Sequence, residues 1–120
     1  ENAHALQSDC FTPAEIAVRF STISYSKGAS ILRMVEHFMK REHFKDGVQN
    51  YIDQHQFGNT EPEDLWLALN DSVLESVSFL PADFITVMDN WVKKSGYPVL
   101  SVTVNGRDVT ISQKRFLFSG

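Results

Sequence analysis

The sequence predicts a mainly α-helical chain in which an array of amphipathic helices is followed by a β-hairpin. Apolar residues recur every three or four positions over most of residues 12–92, and typical helix-start residues precede several of these stretches. After Gly96 the pattern changes to alternating β-branched residues around Asn105-Gly106, which is a strong hairpin turn. We therefore expect a helical unit over residues 1–96 and the first strands of a sheet over residues 97–120.

The first helix is predicted to begin after Thr12. The Thr12 hydroxyl can accept a hydrogen bond from the backbone of Glu15, and the Glu15 carboxylate can reach back to Thr12. Pro13 suits the first helical turn, where its missing N–H costs nothing. We expect this helix to end near Phe20. Residues 21–26 are rich in hydroxyls and poor in strong helix formers, which predicts a turn there.

Two longer helices are predicted over residues 28–40 and 42–55, each with one apolar stripe. The stripes consist of Ile31, Leu32, Val35, Phe38 and Met39 in the first of these helices, and of Phe44, Val48, Tyr51, Ile52 and His55 in the second. Gly58-Asn59 then breaks the pattern.

Two more helices are predicted before the hairpin. Thr60 is the expected cap of the first, with Glu63 at its third position, and Leu80-Pro81 is expected to open the second. Gly96 suits the end of that second helix. The apolar sides are Leu65, Trp66, Leu69 and Val73 in one helix, and Phe84, Ile85, Val87, Met88, Trp91 and Val92 in the other.

Composition excludes several functional classes. The 120 residues carry a net charge of −4 with a pI of about 5.5, which argues against a nucleic-acid-binding module and a polybasic membrane binder. No apolar run approaches the roughly 18–20 residues of a membrane helix. Cys10 is the only cysteine, so an internal disulfide is excluded and the redox compartment stays open. The chain begins at Glu1 and stops just after a strand-like segment, so we expect a piece of a longer protein.

Few residues are arranged for chemistry by spacing alone. None of the four histidines forms an H-E-x-x-H pair, so we predict no metal ligand in this chain. His37 and His43 fit solvated helix positions, and His55 fits an apolar stripe. Tyr25 lies in a polar stretch, where its hydroxyl could donate a hydrogen bond to an oxyanion on a substrate. A tyrosine that packs its ring and leaves its hydroxyl in water is the alternative, and spacing alone favours that alternative.

Several segments together resemble zinc aminopeptidases of the aminopeptidase N type, which are gluzincin metallopeptidases. Ile23-Ser24-Tyr25-Ser26-Lys27-Gly28-Ala29-Ser30 with Leu32-Arg33-Met34 is similar to their Y-x-K-G-A-x-(V/I)-L-R-M segment. Four further segments resemble family motifs. Phe44, Gly47 and Tyr51 are similar to F-x-x-G-x-x-x-Y, and His55, Phe57, Asn59 and Asp64-Leu65-Trp66 are similar to H-x-(Y/F)-x-N…D-L-W. Met88, Trp91, Gly96-Tyr97-Pro98-Val99 and Val102 are similar to M-x-x-W…G-(Y/F)-P-V-x-x-V, and Gln113 with Arg115-Phe116 is similar to Q-x-R-F. The order and spacing of these pieces cover residues 16–118.

The resemblance implies a role for two residues. Tyr25 corresponds to the family's catalytic tyrosine, which stabilises the oxyanion of the tetrahedral intermediate opposite a zinc ion. Phe20 matches a position that in relatives can wall the pocket for the first substrate side chain. The zinc motif and the residue that grips the substrate's free amine lie upstream in the family, so zinc would be bound by the full-length protein outside these 120 residues.

The same resemblance implies an architecture. Residues 1–96 would be the C-terminal helical part of a thermolysin-like catalytic domain, and residues 97–120 would open a β-sandwich. The partners would be peptides with a free N-terminus and the remainder of the same polypeptide. One departure is the segment over residues 5–11, which only loosely resembles an S-H-P-containing loop of relatives and is shorter.

Three readings stay open at this point. The first is a piece of a zinc aminopeptidase that is inactive by itself. The second is a non-catalytic homologue that serves as a receptor or structural module, and the third is a free-standing helical interaction module. A membrane-anchored extracellular location and a cytoplasmic one are both compatible with the sequence, and residue preference and oligomeric state are not encoded in any motif.

Overall fold

The computed structural model describes residues 4–73 and 83–117, and it confirms the mainly α-helical fold with a hairpin at its end. In these ranges the elements are α1 (Pro13–Arg19), a π-helix (Ile23–Lys27), α2 (Gly28–Met39), α3 (Arg41–Gln54), α4 (Pro62–Asp71), α5 (Phe84–Val92), β1 (Pro98–Asn105) and β2 (Asp108–Arg115). No helix in the described ranges is long and apolar enough to cross a membrane.

The start of α1 has the predicted capping box. The Thr12 hydroxyl accepts a hydrogen bond from the Glu15 N–H at 3.3 Å, and the Glu15 carboxylate accepts from the Thr12 N–H at 3.0 Å and the Phe11 N–H at 2.7 Å. The N–H groups of Phe11 and Thr12 lower the pKa of the Glu15 carboxyl, because they stabilise its charged form. The capping box fixes where α1 begins, although no residue of α1 is buried.

The start of α4 differs from the prediction by one residue. Glu61, not Thr60, is the N-cap, and its N–H donates to the Asp64 carboxylate at 2.7 Å. Pro62 explains the shift, because a residue before proline is held in the extended backbone conformation that an N-cap requires. The Thr60 hydroxyl instead accepts a hydrogen bond from the Tyr51 hydroxyl at 2.9 Å, which ties the end of α3 to the start of α4.

The core forms where α2, α4 and α5 meet. Its buried residues are Ile31, Val35, Met39, Trp66, Leu69, Val73, Phe84, Met88 and Val92. All nine belong to the predicted apolar stripes. Leu32 was predicted to lie in the α2 stripe but is exposed at its edge. The predicted α3 stripe contributes no buried residue, since Gly47 is the buried residue of α3 and Ile52 is exposed. Phe84 contacts the rings of both Phe38 and Trp66, so aromatic packing joins the three helices.

A glycine sets the distance between α3 and α4. A Cβ atom on Gly47 would lie 2.9 Å from the Leu69 Cδ2 atom and 2.9 Å from the Ser72 Oγ atom. Contacts this short do not occur for real Cβ atoms, and the Leu69 Cα atom would lie only 3.0 Å away, so a larger residue would force the Leu69 and Ser72 side chains or the backbone to shift. Gly47 is thus part of the packing between helices, which periodicity alone does not reveal.

Helix α5 begins after Asp83, whose carboxylate accepts hydrogen bonds from the Thr86 hydroxyl at 2.6 Å and the Thr86 N–H at 2.9 Å. These bonds lower the pKa of the Asp83 carboxyl. The predicted start at Leu80-Pro81 lies outside the described residues. The helix ends at Val92, earlier than predicted, and Gly96 adopts a φ of 78° in the segment that leads to β1.

The hairpin is regular, with Val102 paired to Ile111 and Val104 paired to Val109. Its two-residue loop is Gly106-Arg107, one residue later than the Asn105-Gly106 dipeptide suggested, and Gly106 supplies the positive φ of 61° that the loop needs. One side of the hairpin is apolar and exposed, and we call it the hairpin apolar face. It consists of Leu100, Val102, Val104, Val109 and Ile111.

Candidate functional site

Tyr25 lies at the centre of a one-turn π-helix and not in the turn that the sequence predicts. The Tyr25 N–H donates to the Ser21 carbonyl at 3.1 Å, and the Gly28 N–H is shared between the Ser24 and Tyr25 carbonyls. The backbone therefore runs continuously into α2 with one extra residue in the turn. Such π-helical turns are rare and occur frequently at functional sites, so the conformation singles out this segment independently of any motif.

The Tyr25 side chain points away from the core and is 66% exposed. Across residues 4–73 and 83–117, its hydroxyl makes no hydrogen bond and its ring makes no aromatic contact. A phenol in this state has a hydrogen to donate and no internal acceptor for it. Within the described residues the Tyr25 hydroxyl is thus available as a hydrogen-bond donor.

The N-terminal side of the π-helix is held by a small polar network. The His4 Nε2 atom lies 3.1 Å from the Ser21 hydroxyl, and that hydroxyl accepts a hydrogen bond from the Ser24 N–H at 3.3 Å. The His4 Nδ1 atom lies 2.7 Å from the Ala5 carbonyl oxygen, which fixes the ring. Sequence reasoning missed His4, because it belongs to no motif and contacts Ser21 across 17 positions of the chain.

The C-terminal side of the π-helix is held by Lys27. The Lys27 ammonium donates a hydrogen bond to the Lys94 carbonyl oxygen at 2.7 Å. Its side chain is half-buried, and that burial lowers the pKa of the Lys27 ammonium. The contact connects the Tyr25 segment to the chain just after α5, 67 positions away.

Phe20 follows α1 as its C-cap residue and is 71% exposed. Within the described ranges no ring contact joins Phe20 to Tyr25. The structure thus places both predicted site residues at the surface on the same short stretch of chain, without packing one against the other.

The histidines are dispersed. His37 is exposed on α2, whereas His43 and His55 are half-buried on and just after α3. The His55 ring contacts the Tyr51 ring at a centroid distance of 5.4 Å. No three residues among the described histidines, cysteine, aspartates and glutamates lie close enough together to hold a metal ion. These side chains do not fit a zinc centre, so we derive no chemical step through a metal here.

Comparisons with known proteins show which proteins this chain is similar to. Residues 1–91 match the profile described as the peptidase family M1 domain. The chain is 41% identical over 120 residues to Tricorn protease-interacting factor F2 of Thermoplasma acidophilum, 40% identical over 113 residues to probable aminopeptidase 1 of Saccharolobus solfataricus, and 47% identical over 116 residues to glutamyl aminopeptidase of Bos taurus. These alignments cover 94–100% of this chain but only 11–14% of the relatives.

Proposed function

This chain belongs to peptidase family M1, and on that premise we propose that it is the tyrosine-bearing part of a zinc-dependent aminopeptidase that hydrolyses N-terminal residues from peptides. The observation that carries the proposal is the exposed Tyr25 hydroxyl, which makes no hydrogen bond within the described residues and lies on a π-helix with side-chain contacts at both ends. Relatives that are named aminopeptidases support the choice of reaction.

In this proposal Tyr25 acts on the carbonyl of the first peptide bond. When that carbonyl becomes tetrahedral, negative charge develops on its oxygen, and a hydrogen bond from a fixed hydroxyl is then stronger than in the ground state. The Tyr25 hydroxyl can make that bond without first breaking an internal one. Its backbone is fixed before substrate arrives, so little reorganisation is needed at the moment of reaction.

The zinc ion in this proposal is held by residues of the full-length polypeptide other than the ones described here. The partners are peptides with a free N-terminus and the rest of the same polypeptide. We propose that residues 1–96 are the C-terminal helical part of the catalytic domain and that residues 97–120 open a β-sandwich. The hairpin apolar face supports that arrangement, because a second sheet layer would cover its five exposed side chains.

A direct test uses the full-length polypeptide that contains these 120 residues. We expect it to release the first residue from peptides with a free amino terminus, to leave N-acetylated peptides intact, and to lose activity on chelation until zinc is restored. The 120 residues alone serve as the control and should be inactive. Equal cleavage of acetylated peptides would contradict an aminopeptidase. A folded, zinc-free and inactive polypeptide would favour a receptor or structural homologue instead.

We also propose that Phe20 walls the pocket for the first substrate side chain. Phe20→Ala is then expected to lower kcat/KM about tenfold for peptides that begin with a large apolar residue, since lost apolar contact in a pocket costs this much. Peptides that begin with alanine should change little. Replacing exposed Phe57 by Ala provides the matched control. A loss that is equal for both peptides would argue against a pocket role for Phe20.

A further inference from the structure

One long-range hydrogen bond connects the Tyr25 segment to α5. Lys27 is the last residue of the π-helix and lies two positions after Tyr25. Lys94, whose carbonyl oxygen it contacts at 2.7 Å, lies two positions after the last residue of α5. The contact therefore spans two elements that are far apart in sequence.

The chemistry of this contact suits a fixed anchor. The Lys94 carbonyl lies just beyond Lys93, the C-cap of α5, and it accepts its hydrogen bond from a cationic donor. Hydrogen bonds with a charged donor are stronger than neutral ones. The half-buried Lys27 stem also restricts how the ammonium can move. A mobile surface lysine would have none of these restraints.

Lys93, the residue before Lys94, bonds to side chains and not to the backbone. The Lys93 ammonium lies 2.7 Å from the Asp89 carboxylate and 3.4 Å from the Glu63 carboxylate, so α5 already uses Lys93 to contact α4. These carboxylates raise the pKa of Lys93. Lys27 contacts the backbone instead, and a backbone acceptor cannot rotate away as a carboxylate on a side chain can.

We propose that Lys27 is a positioning residue, which fixes the π-helix against the end of α5 and so fixes where the Tyr25 hydroxyl points. At the other end of the π-helix, Ser21 bonds the Ser24 N–H and is itself contacted by His4. The segment is thus restrained on both sides of Tyr25. The kinetic part of this inference rests on the proposed function, whereas the structural part does not.

The first test is kinetic and uses the full-length polypeptide. Lys27→Met removes the donor and keeps the apolar stem. We expect kcat to fall by about 10- to 100-fold with little change in KM, as small misplacements of a catalytic group do. Lys27→Arg restores a cationic donor and should recover most of kcat. Lys45→Met, at an exposed position on α3, is the matched control and should behave as the wild type.

A double-mutant cycle separates positioning from general stability. If Lys27 acts through the Tyr25 hydroxyl, Lys27→Met should cause little further loss of kcat in a Tyr25→Phe background. An equal loss in both backgrounds would overturn the proposal, because the effect of Lys27 would then not depend on the hydroxyl. The proposal would also be overturned if Lys27→Met leaves kcat unchanged while Tyr25→Phe lowers it.

Hydrogen exchange gives a readout that needs no activity. Lys27→Met should speed amide exchange at residues 23–28 more than in the core helices, and Lys27→Arg should restore protection. Unchanged exchange there would overturn the anchor. If Tyr25→Phe leaves kcat unchanged, the proposed function fails and exchange alone decides the anchor. If Lys27→Met does not fold, Lys27→Arg provides the test. A folded Lys27→Arg variant that has lost amide protection at residues 23–28 and has a lowered kcat would refute the proposal.

Discussion

Tyr25→Phe is expected to lower kcat of the full-length polypeptide about 10²- to 10³-fold, which is the usual cost of losing one oxyanion donor. KM should change by less than about threefold, because the hydrogen bond forms chiefly in the transition state. The change removes a single oxygen atom from an exposed ring. Steady-state kinetics on a peptide with a free amino terminus measures both constants.

The structure makes this substitution a clean experiment. Within the described residues the Tyr25 hydroxyl makes no hydrogen bond, so its loss breaks no contact with them, and we expect the melting temperature to stay at the wild-type value. Tyr97→Phe is the matched control, since Tyr97 is also exposed and its ring stacks on Phe116 at 4.8 Å. Tyr97→Phe should retain full kcat. An unchanged kcat in Tyr25→Phe would remove Tyr25 from the chemistry altogether.

The helices could be predicted from sequence because their information is local. Residues Ile31, Val35 and Met39 repeat at helical spacing and are all buried, as expected for one stripe that faces the core. The capping box at Thr12 and Glu15 is likewise contained in four residues. The capping rule correctly predicted a helix start beside Pro62, but it placed the N-cap at Thr60, one residue before the observed N-cap Glu61.

The π-helix could not be predicted because its information is not local. The hydroxyl-rich residues 21–26 suggested a turn, and their side chains do bond the backbone, as the Ser21 contact to the Ser24 N–H shows. The segment also has contacts to His4 on one side and to the Lys94 carbonyl on the other. Neither partner has a sequence spacing that any periodicity would reveal.

The candidate site also combines features that are local in sequence with features that are not. Residue type and resemblance pointed to Tyr25 and Phe20. Only the structure reveals that the Tyr25 hydroxyl makes no hydrogen bond within the described residues and that Lys27 and His4 form contacts on either side of it. The exposure of a side chain depends on what packs around it, and the residues concerned are separated by tens of positions. Sequence reasoning thus proposed the candidate residue Tyr25 but not the long-range contacts on either side of it.

Substitutions at the contact between Gly47 and Leu69 should cause the largest losses of stability. Leu69 is completely buried, so Leu69→Ala is expected to lower the free energy of unfolding by about 2–5 kcal/mol through lost burial and a residual cavity. Gly47→Ala should also destabilise, by about 1–3 kcal/mol from overpacking, partly offset by about 1 kcal/mol of better helix propensity. Urea denaturation followed by tryptophan fluorescence measures these losses.

Combining the two substitutions tests the packing directly. Two of the three atoms that would crowd a Cβ on Gly47 belong to Leu69, and Leu69→Ala removes one of them, the Cδ2 atom. The double variant should therefore lose less stability than the sum of the single losses, although the Ser72 hydroxyl still crowds the site. Gly28→Ala is the control, because nothing lies within 4 Å of a Cβ there, and it should cause no loss. Strictly additive losses would show that α3 moves away from α4 as a unit instead of being held by the fit between Gly47 and Leu69.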